Sequence, residues 1–270
     1  SFNRLVTVDQ KPIGRSPRST PATYAGAWSL VRSLYARMPL AMSRGYNMGR
    51  FSFNSSEGQC PGCEGQGLRQ VEMQFLSDIW VTCEECKGKR FNKSTLEVIF
   101  KGKNIADVLE MEVEEAANLF KDVHPIYRVL KVLVDVGMGY VKLGQPAPTL
   151  SGGEAQRIKL AKELCRANTG QTLYILDEPT TGLDLKSTTD LMQLICGLNR
   201  QGSTIILITH DMRVVAEYAP HCIVMRSGEI RSYGKTRDIF GQTKLLRETQ
   251  VTLPQIPELG RRLKRYGMRS

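Results

Sequence analysis

Apolar residues along this 270-residue chain recur with two different periods, and the change between them lays out its organisation. In Val113-Glu-Glu-Ala-Ala-Asn-Leu-Phe120 and Ile126-Tyr-Arg-Val-Leu-Lys-Val-Leu-Val134 the apolar positions are spaced by three and four, which predicts helix from Ile105 to about Val136. Further on, short apolar runs alternate with helical patterns: strand Thr172 to Leu176, helix Leu185 to Leu198, strand Thr204 to Thr209, helix Met212 to Tyr218, and a hairpin from Cys222 to Ser232 that turns at Ser227-Gly228. Such alternation predicts a largely parallel sheet with its chemistry at the carboxyl ends of the strands. Asp177 and His210 both fall at such ends. Nearer the N-terminus, Leu5-Val-Thr-Val8 reads as a strand and Thr23 to Arg37 is compatible with a helix, in a region otherwise rich in Pro, Ser, Arg and Gly.

Two stretches carry candidate chemistry. Leu150-Ser-Gly-Gly-Glu-Ala-Gln-Arg157 follows a loop containing Pro146 and Pro148 and opens a helix predicted to continue to Arg166. Its two glycines leave backbone N–H groups and the positive end of the helix dipole available to an anion such as a phosphate. Leu176-Asp-Glu-Pro-Thr-Thr-Gly-Leu-Asp184 closes an apolar strand with two adjacent carboxylates, one able to serve a magnesium ion and the other to activate water. A lone Asp-Glu at a strand end is usually a helix cap or a solvated pair; the Pro-Thr-Thr-Gly-Leu-Asp that follows argues against that reading here.

Cysteine spacing adds a third feature. Cys60-Pro-Gly-Cys63 and Cys83-Glu-Glu-Cys86 are two Cys-x-x-Cys knuckles, each with a glycine two positions on, Gly65 and Gly88, to relieve a tight turn. Four thiolates so arranged suit a closed, tetrahedral structural zinc, with redox-active pairs as the alternative. Val71-Glu-Met-Gln-Phe75, between the knuckles, alternates as a strand packed against the site would. Cys165, Cys196 and Cys222 fall in apolar patterns and are expected to be buried packing residues.

At 41% hydrophobic, a chain of this length can bury one large core or two smaller ones. No run approaches a membrane span and no basic-then-apolar leader precedes the first residues, so a soluble, cytoplasmic protein without membrane insertion is expected. Ser1-Phe-Asn-Arg has no initiator Met, which reads as a fragment of something longer. The net charge of +10 is uneven: residues 1–50 hold eight Lys/Arg against Asp9 alone, and residues 261–270 hold five against no acid. With Tyr24, Trp28, Tyr35 and Tyr46 interleaved, the basic N-terminal arm suits a nucleic-acid backbone; an ordinary solvated basic surface fits the charge equally well.

Taken in order, the glycine signature, the acidic strand end, Gly182-Leu-Asp184 and His210 resemble an ABC-type ATPase domain. The wording of Val8 to Tyr24, Gly49-Arg-Phe-Ser-Phe-Asn54, the two knuckles and Leu143-Gly-Gln-Pro146 is similar to the C-terminal half of the UvrA family, the damage-sensing ABC excinuclease proteins of bacterial nucleotide excision repair, over about residues 6–208. The resemblance implies an α/β fold. It implies a basic, Q-loop-containing core segment at 1–50, a zinc-binding module at 51–95, a helical signature subdomain at 96–170, and a core with Walker B, D-loop and H-loop at 171–270. It also implies ATP, Mg2+ and structural Zn2+ as cofactors. By the same resemblance Gln10 would sense magnesium and the γ-phosphate, and Ser151, Gly152 and Gly153, with Gln156 in the same set, would face a nucleotide held by another domain. Asp177 would hold magnesium, Glu178 would orient or deprotonate the attacking water, Asp184 would act across a domain interface, and His210 would contact the γ-phosphate. Cys60, Cys63, Cys83 and Cys86 would hold the zinc, in a module that aids DNA engagement. Implied partners are DNA, a second ABC domain, another copy in a homodimer and the downstream excinuclease subunit.

Two departures qualify the resemblance. No Gly-x-x-x-x-Gly-Lys-Ser/Thr phosphate loop occurs in these 270 residues, so this stretch by itself is expected to be inactive. Ile208-Thr-His-Asp-Met212, Ala216-Glu-Tyr-Ala219, Val224 to Ile230 and Leu253 to Leu259 look more like an energy-coupling-factor transporter ATPase. The ATPase of such a transporter and a non-catalytic, zinc-stapled DNA-binding fragment are therefore the competing readings.

Overall fold

The computed structural model describes residues 2–71, 79–166, 172–249 and 251. Two compact units divide the chain: Ser1–Ile175 with Pro179–Ile205, and Leu176–Glu178 with Ile206–Ser270.

The first unit begins with strand β1 (Arg4–Val8), helices α1 (Pro21–Ala25), α2 (Ala27–Ala36) and α3 (Pro39–Ser43), and the cysteine module with its antiparallel pair β2 (Leu68–Val71) and β3 (Ile79–Thr82). Helix α4 (Lys93–Leu96), the small pair β4 (Ile99–Phe100) and β5 (Lys103–Asn104), and helices α5 (Ile105–Glu110), α6 (Val113–Leu119) and α7 (His124–Leu133) come next. Signature helix α8 (Gly152–Leu164), strand β6 (Thr172–Asp177), helix α9 (Leu185–Arg200) and strand β7 (Thr204–Ile208) complete it, the last residues of β6 and β7 falling in the second unit. The three-stranded sheet runs β1-β6-β7. Neighbours β6 and β7 are joined through the 16-residue α9, the crossover that parallel strands need.

The helical stretch expected between Ile105 and Val136 is divided. Met111 is extended (φ −69°, ψ 145°), Glu112 and Glu115 form a capping box that starts α6 afresh, and Pro125 stands in the first turn of α7. The Thr23 to Arg37 stretch is cut in the same way at Gly26, whose φ of +89° no helix accommodates. Amphipathic α7 turns Ile126, Val129, Leu130 and Leu133 inward. An aromatic cluster continues that core: Phe100 stacks on Phe120 with centroids 5.6 Å apart, Phe53 lies 5.8 Å from Trp28 and 6.3 Å from Phe91, and buried Tyr35 donates its hydroxyl to the Lys103 carbonyl at 2.7 Å.

In the second unit helix α10 (Met212–Tyr218) precedes an antiparallel hairpin, β8 (His221–Arg226) and β9 (Glu229–Lys235), turning where expected with Ser227 and Gly228 both at positive φ. Helices α11 (Thr236–Phe240) and α12 (Thr243–Glu248) follow. No helix among the described residues is long and apolar enough to cross a membrane. Cys165, Cys196 and Cys222 are only half-buried, contrary to expectation, because their apolar runs lie where an element meets solvent on one side. Of the strand expected over Val71 to Phe75, Glu72 to Phe75 lie outside the described residues, as do the tail Leu253 to Leu259 and the basic residues 261–270.

Candidate functional site

The start of α8 is built as a capping box that the spacing Ser151-Gly-Gly-Glu154 encodes and that the motif reading passed over. Glu154 Oε2 accepts the Ser151 backbone N–H at 2.7 Å, and Ser151 Oγ accepts the Glu154 N–H at 3.3 Å. Glu154 Oε1 also accepts the Tyr140 hydroxyl at 2.8 Å. Burial works against the Glu154 charge, but these donors outweigh it and hold the carboxyl below its ordinary range. Ser151 therefore spends its amide and hydroxyl on the cap. The first-turn N–H groups of Gly152 and Gly153, which have no intrahelical carbonyl to bind, are what the turn can offer an anion.

Two side chains tie α8 to the end of β1. Buried Gln156 donates Nε2 to the Val8 carbonyl at 3.0 Å, and Lys159 donates to the Asp9 carbonyl at 3.2 Å while pairing with the Asp9 carboxylate. The Lys159 hydrogen bond keeps the Asp9 carboxyl below its ordinary value. This brings Gln10 against Gly152, where a Cβ would lie 3.1 Å from the Gln10 Cβ and 3.3 Å from its Oε1. Gln156 is thus a structural tie to the Gln10 segment. One turn into the helix, Arg157 is buried with Nε 3.3 Å from Met138 Sδ and with Nη1 lacking a hydrogen-bond partner among the described residues.

Asp184 is the N-cap of α9 and accepts the Ser187 N–H at 2.7 Å, which lowers its carboxyl pKa. Helix capping, the common role of strand-end acids, thus falls to Asp184.

In the second unit β6 ends at exposed Asp177, and Glu178 adopts a left-handed backbone (φ +49°) with its N–H on the Ile208 carbonyl at 2.8 Å. That bond sets the carboxyl ends of β6 and β7 side by side. The Glu178 carboxylate then accepts three groups from beyond β7: the His210 backbone N–H at 2.7 Å and the Thr209 hydroxyl at 3.1 Å donate to it, and His210 Nδ1 lies 2.6 Å from Oε1. This hydrogen bond and the Glu178 charge raise the pKa of the exposed His210 ring. The motifs put Glu178 and His210 at two strand ends but carry no sign that they touch, and Thr209, which orients the carboxylate, belongs to neither motif.

The four knuckle cysteines converge. Their sulfurs lie within 4.8 Å of one another, all four residues are buried, and the Cys63 and Cys86 sulfurs are 3.5 Å apart. A disulfide needs about 2.05 Å, whereas a zinc tetrahedron with bonds of about 2.3 Å has edges near 3.8 Å, so the spacing fits zinc. Both knuckles repeat one turn, with a left-handed pair after the second cysteine: Glu64 and Gly65 at φ +48° and +78°, Lys87 and Gly88 at +50° and +82°. Burial pushes the Cys60 thiol up and Cys86 to about 12. Burial acts against ionisation of Cys83 as well, but the backbone N–H groups of Cys86 and Glu85 draw it down to about 7. Four buried sulfurs so crowded are the setting in which a dication stabilises all four thiolates together.

A parallel sheet carrying a carboxylate–histidine pair at its strand ends, in a chain that also holds a glycine-opened helix, resembles the architecture of ABC-type ATPases. Comparison narrows that class. The chain is 54% identical over 215 residues to UvrABC system protein A of Aquifex aeolicus (80% of this chain, 23% of that protein) and 49% identical over 268 residues to that of Thermus thermophilus (97% and 28%). The solved structure of UvrA2 from Deinococcus radiodurans superposes with a TM-score of 0.83 at 46% identity, covering 92% of this chain and 32% of that one. In sequence and fold the chain is thus UvrA-like along nearly its whole length, and it spans about a quarter of the curated relatives it matches. The Thermus alignment is long enough to take in residues 208–259, where the wording resembles a transporter ATPase. No protein-family model matches the chain.

Proposed function

We propose that this chain is the C-terminal ABC ATPase portion of a UvrA-type protein, in which ATP binding and hydrolysis gate recognition of damaged DNA in nucleotide excision repair. The observation that carries the reading is the Glu178–His210 pair at the ends of adjacent parallel strands, in a chain about 50% identical to UvrA proteins over most of its length. Phosphoryl transfer asks for positioning and charge stabilisation more than covalent chemistry. Glu178 orients the attacking water and receives its proton, with Thr209 and the His210 amide fixing the carboxylate. His210 addresses the γ-phosphate. Asp177 is the residue to hold Mg2+, which when bound neutralises phosphate charge. Gly152 and Gly153, at the turn capped by Ser151, face a nucleotide carried by an opposing ABC domain, Gln10 accompanies them, and Asp184 acts across that interface. The domain division at about residues 50, 95 and 170 belongs to this reading, with Cys60, Cys63, Cys83 and Cys86 holding Zn2+ in a module that supports DNA contact. The working assembly adds DNA, a second copy and the downstream excinuclease subunit.

Two measurements on the full-length, zinc-loaded protein test it. Glu178→Gln lowers ATP turnover by roughly 10²- to 10⁴-fold, the usual contribution of a general base; unchanged turnover removes the assigned role. Duplex binding is tight at low salt and weakens steeply as salt rises, and no binding at low salt eliminates the repair reading.

A further inference from the structure

Arg90 joins three parts of the first unit. Its backbone belongs to the cysteine centre: the carbonyl accepts the Cys60 N–H of the first knuckle at 2.9 Å, and the preceding residue, Lys89, donates its N–H to the Cys86 carbonyl of the second at 2.9 Å. Its side chain leaves the centre, passes over the Phe53 ring with the guanidinium carbon 5.2 Å from the centroid, and ends between two loops. There Nη2 donates to the Gly144 carbonyl at 3.2 Å and Nη1 to the Pro17 carbonyl at 3.4 Å. The residue is 9% exposed, and its φ of +68° lies in the left-handed region that L residues avoid.

The two carbonyls sit on facing chain segments that are bonded to each other: Ala147 N–H donates to Ser19 O at 2.8 Å, and Ala22 N–H to Leu143 O at 3.2 Å. One segment continues to Ser151 and the signature turn; the other comes from Gln10. The guanidinium bridges the two carbonyls with donors on two separate nitrogens fixed in one rigid plane, whereas a lysine would have to reach both from a single nitrogen on a shorter side chain.

We propose that Arg90 is the positioning residue through which the state of the cysteine centre reaches the loop that delivers the signature helix. With metal bound, both knuckles hold the Arg90 backbone in its left-handed conformation and the guanidinium staples Gly144 to Pro17. With metal removed, the backbone is free to leave that conformation and the staple opens. Its consequence for catalysis rests on the ATPase reading above; the coupling itself does not.

The test is hydrogen exchange over residues 144–150 of the full-length protein, without nucleotide or DNA, before and after zinc is removed with a chelator. In wild type, removal speeds exchange at the Ala147 amide by on the order of ten-fold. Arg90→Asn, chosen because Asn tolerates the left-handed region, shows that faster exchange with zinc still bound, and chelation adds nothing further at the loop. Arg90→Lys behaves like Arg90→Asn. Slow exchange in zinc-free wild type, or Arg90→Lys matching wild type, overturns the proposal. Should Arg90→Asn fail to retain zinc, those two outcomes still decide. Because no ATP is present, a failure here is distinct from retained turnover in Glu178→Gln.

Discussion

Gly65 and Gly88 occupy equivalent places in the two knuckles, with nearly equal φ of +78° and +82°, yet a methyl group would meet very different surroundings at each. At Gly88 the nearest atom to an added Cβ is Thr82 Cγ2 at 3.7 Å, an ordinary contact. At Gly65 the Phe53 carbonyl oxygen would lie 1.7 Å away and its carbon 2.8 Å, below the 3.0 Å that real Cβ atoms respect. Gly88→Ala therefore carries the left-handed penalty of about 1–2 kcal/mol, partly offset by about 0.4–1 kcal/mol from the stiffer unfolded chain, for a net loss of roughly 1 kcal/mol. Gly65→Ala carries the same terms and must also drive backbone at Phe53, itself 1% exposed in the aromatic core, by more than an ångström. Overpacking of that kind costs a further 1–3 kcal/mol or so. The assay is zinc retention against a chromogenic chelator in the full-length protein, alongside a denaturant melt. Gly88→Ala should release its metal about five times faster than wild type, and Gly65→Ala roughly five- to a hundred-fold faster again than Gly88→Ala. Equal losses in the two variants would refute the steric account and leave backbone conformation as the whole requirement.

Three smaller perturbations probe the remaining contacts. Ser151→Ala removes the hydroxyl that accepts the Glu154 N–H and should destabilise the first turn of α8 by about 1 kcal/mol, read as faster amide exchange there; unaltered exchange would show that the Glu154 half of the box suffices. His210 titrates above its ordinary 6.5 because of Glu178, so the charged pair is complete below 6.5 and is lost as pH rises through the raised value. In Glu178→Gln its NMR midpoint should fall back toward 6.5, and an unmoved midpoint would disprove the coupling. Asp9 is held below its ordinary 3.8 by Lys159, so its contribution is present above 3.8 and disappears as pH falls through the lowered value. Asp9→Asn should abolish that acid-dependent loosening between β1 and α8, as followed by amide exchange around Lys159.

What could be read in advance, and what could not, follows from how local each determinant is. Strand β6 and helix α9 were legible because an apolar run ending in Asp177 and a spaced pattern after Asp184 each contain their own period. The long helix expected before the signature failed because the same period persists across Met111 and the Val123–Pro125 region, where capping and a proline restart the helix without disturbing the apolar spacing. The cysteine centre was legible since its spacing states its geometry, and both glycines proved left-handed. Contacts between residues remote in sequence left no such mark. The motif marks Gln156 as a nucleotide-facing residue and gives no sign that its buried amide also holds the Val8 carbonyl, which helps to place Gln10 beside Gly152. Arg90 sits in a lysine- and glycine-rich turn that looks solvated, and only the fold shows its guanidinium on Pro17 and Gly144. Both are buried polar side chains whose cost without partners would be several kcal/mol, and both bond to backbone carbonyls. A carbonyl is present at every residue, so no residue type announces the acceptor. Motif spacing identifies groups that meet a ligand, and the groups that aim them stay hidden until the chain is folded.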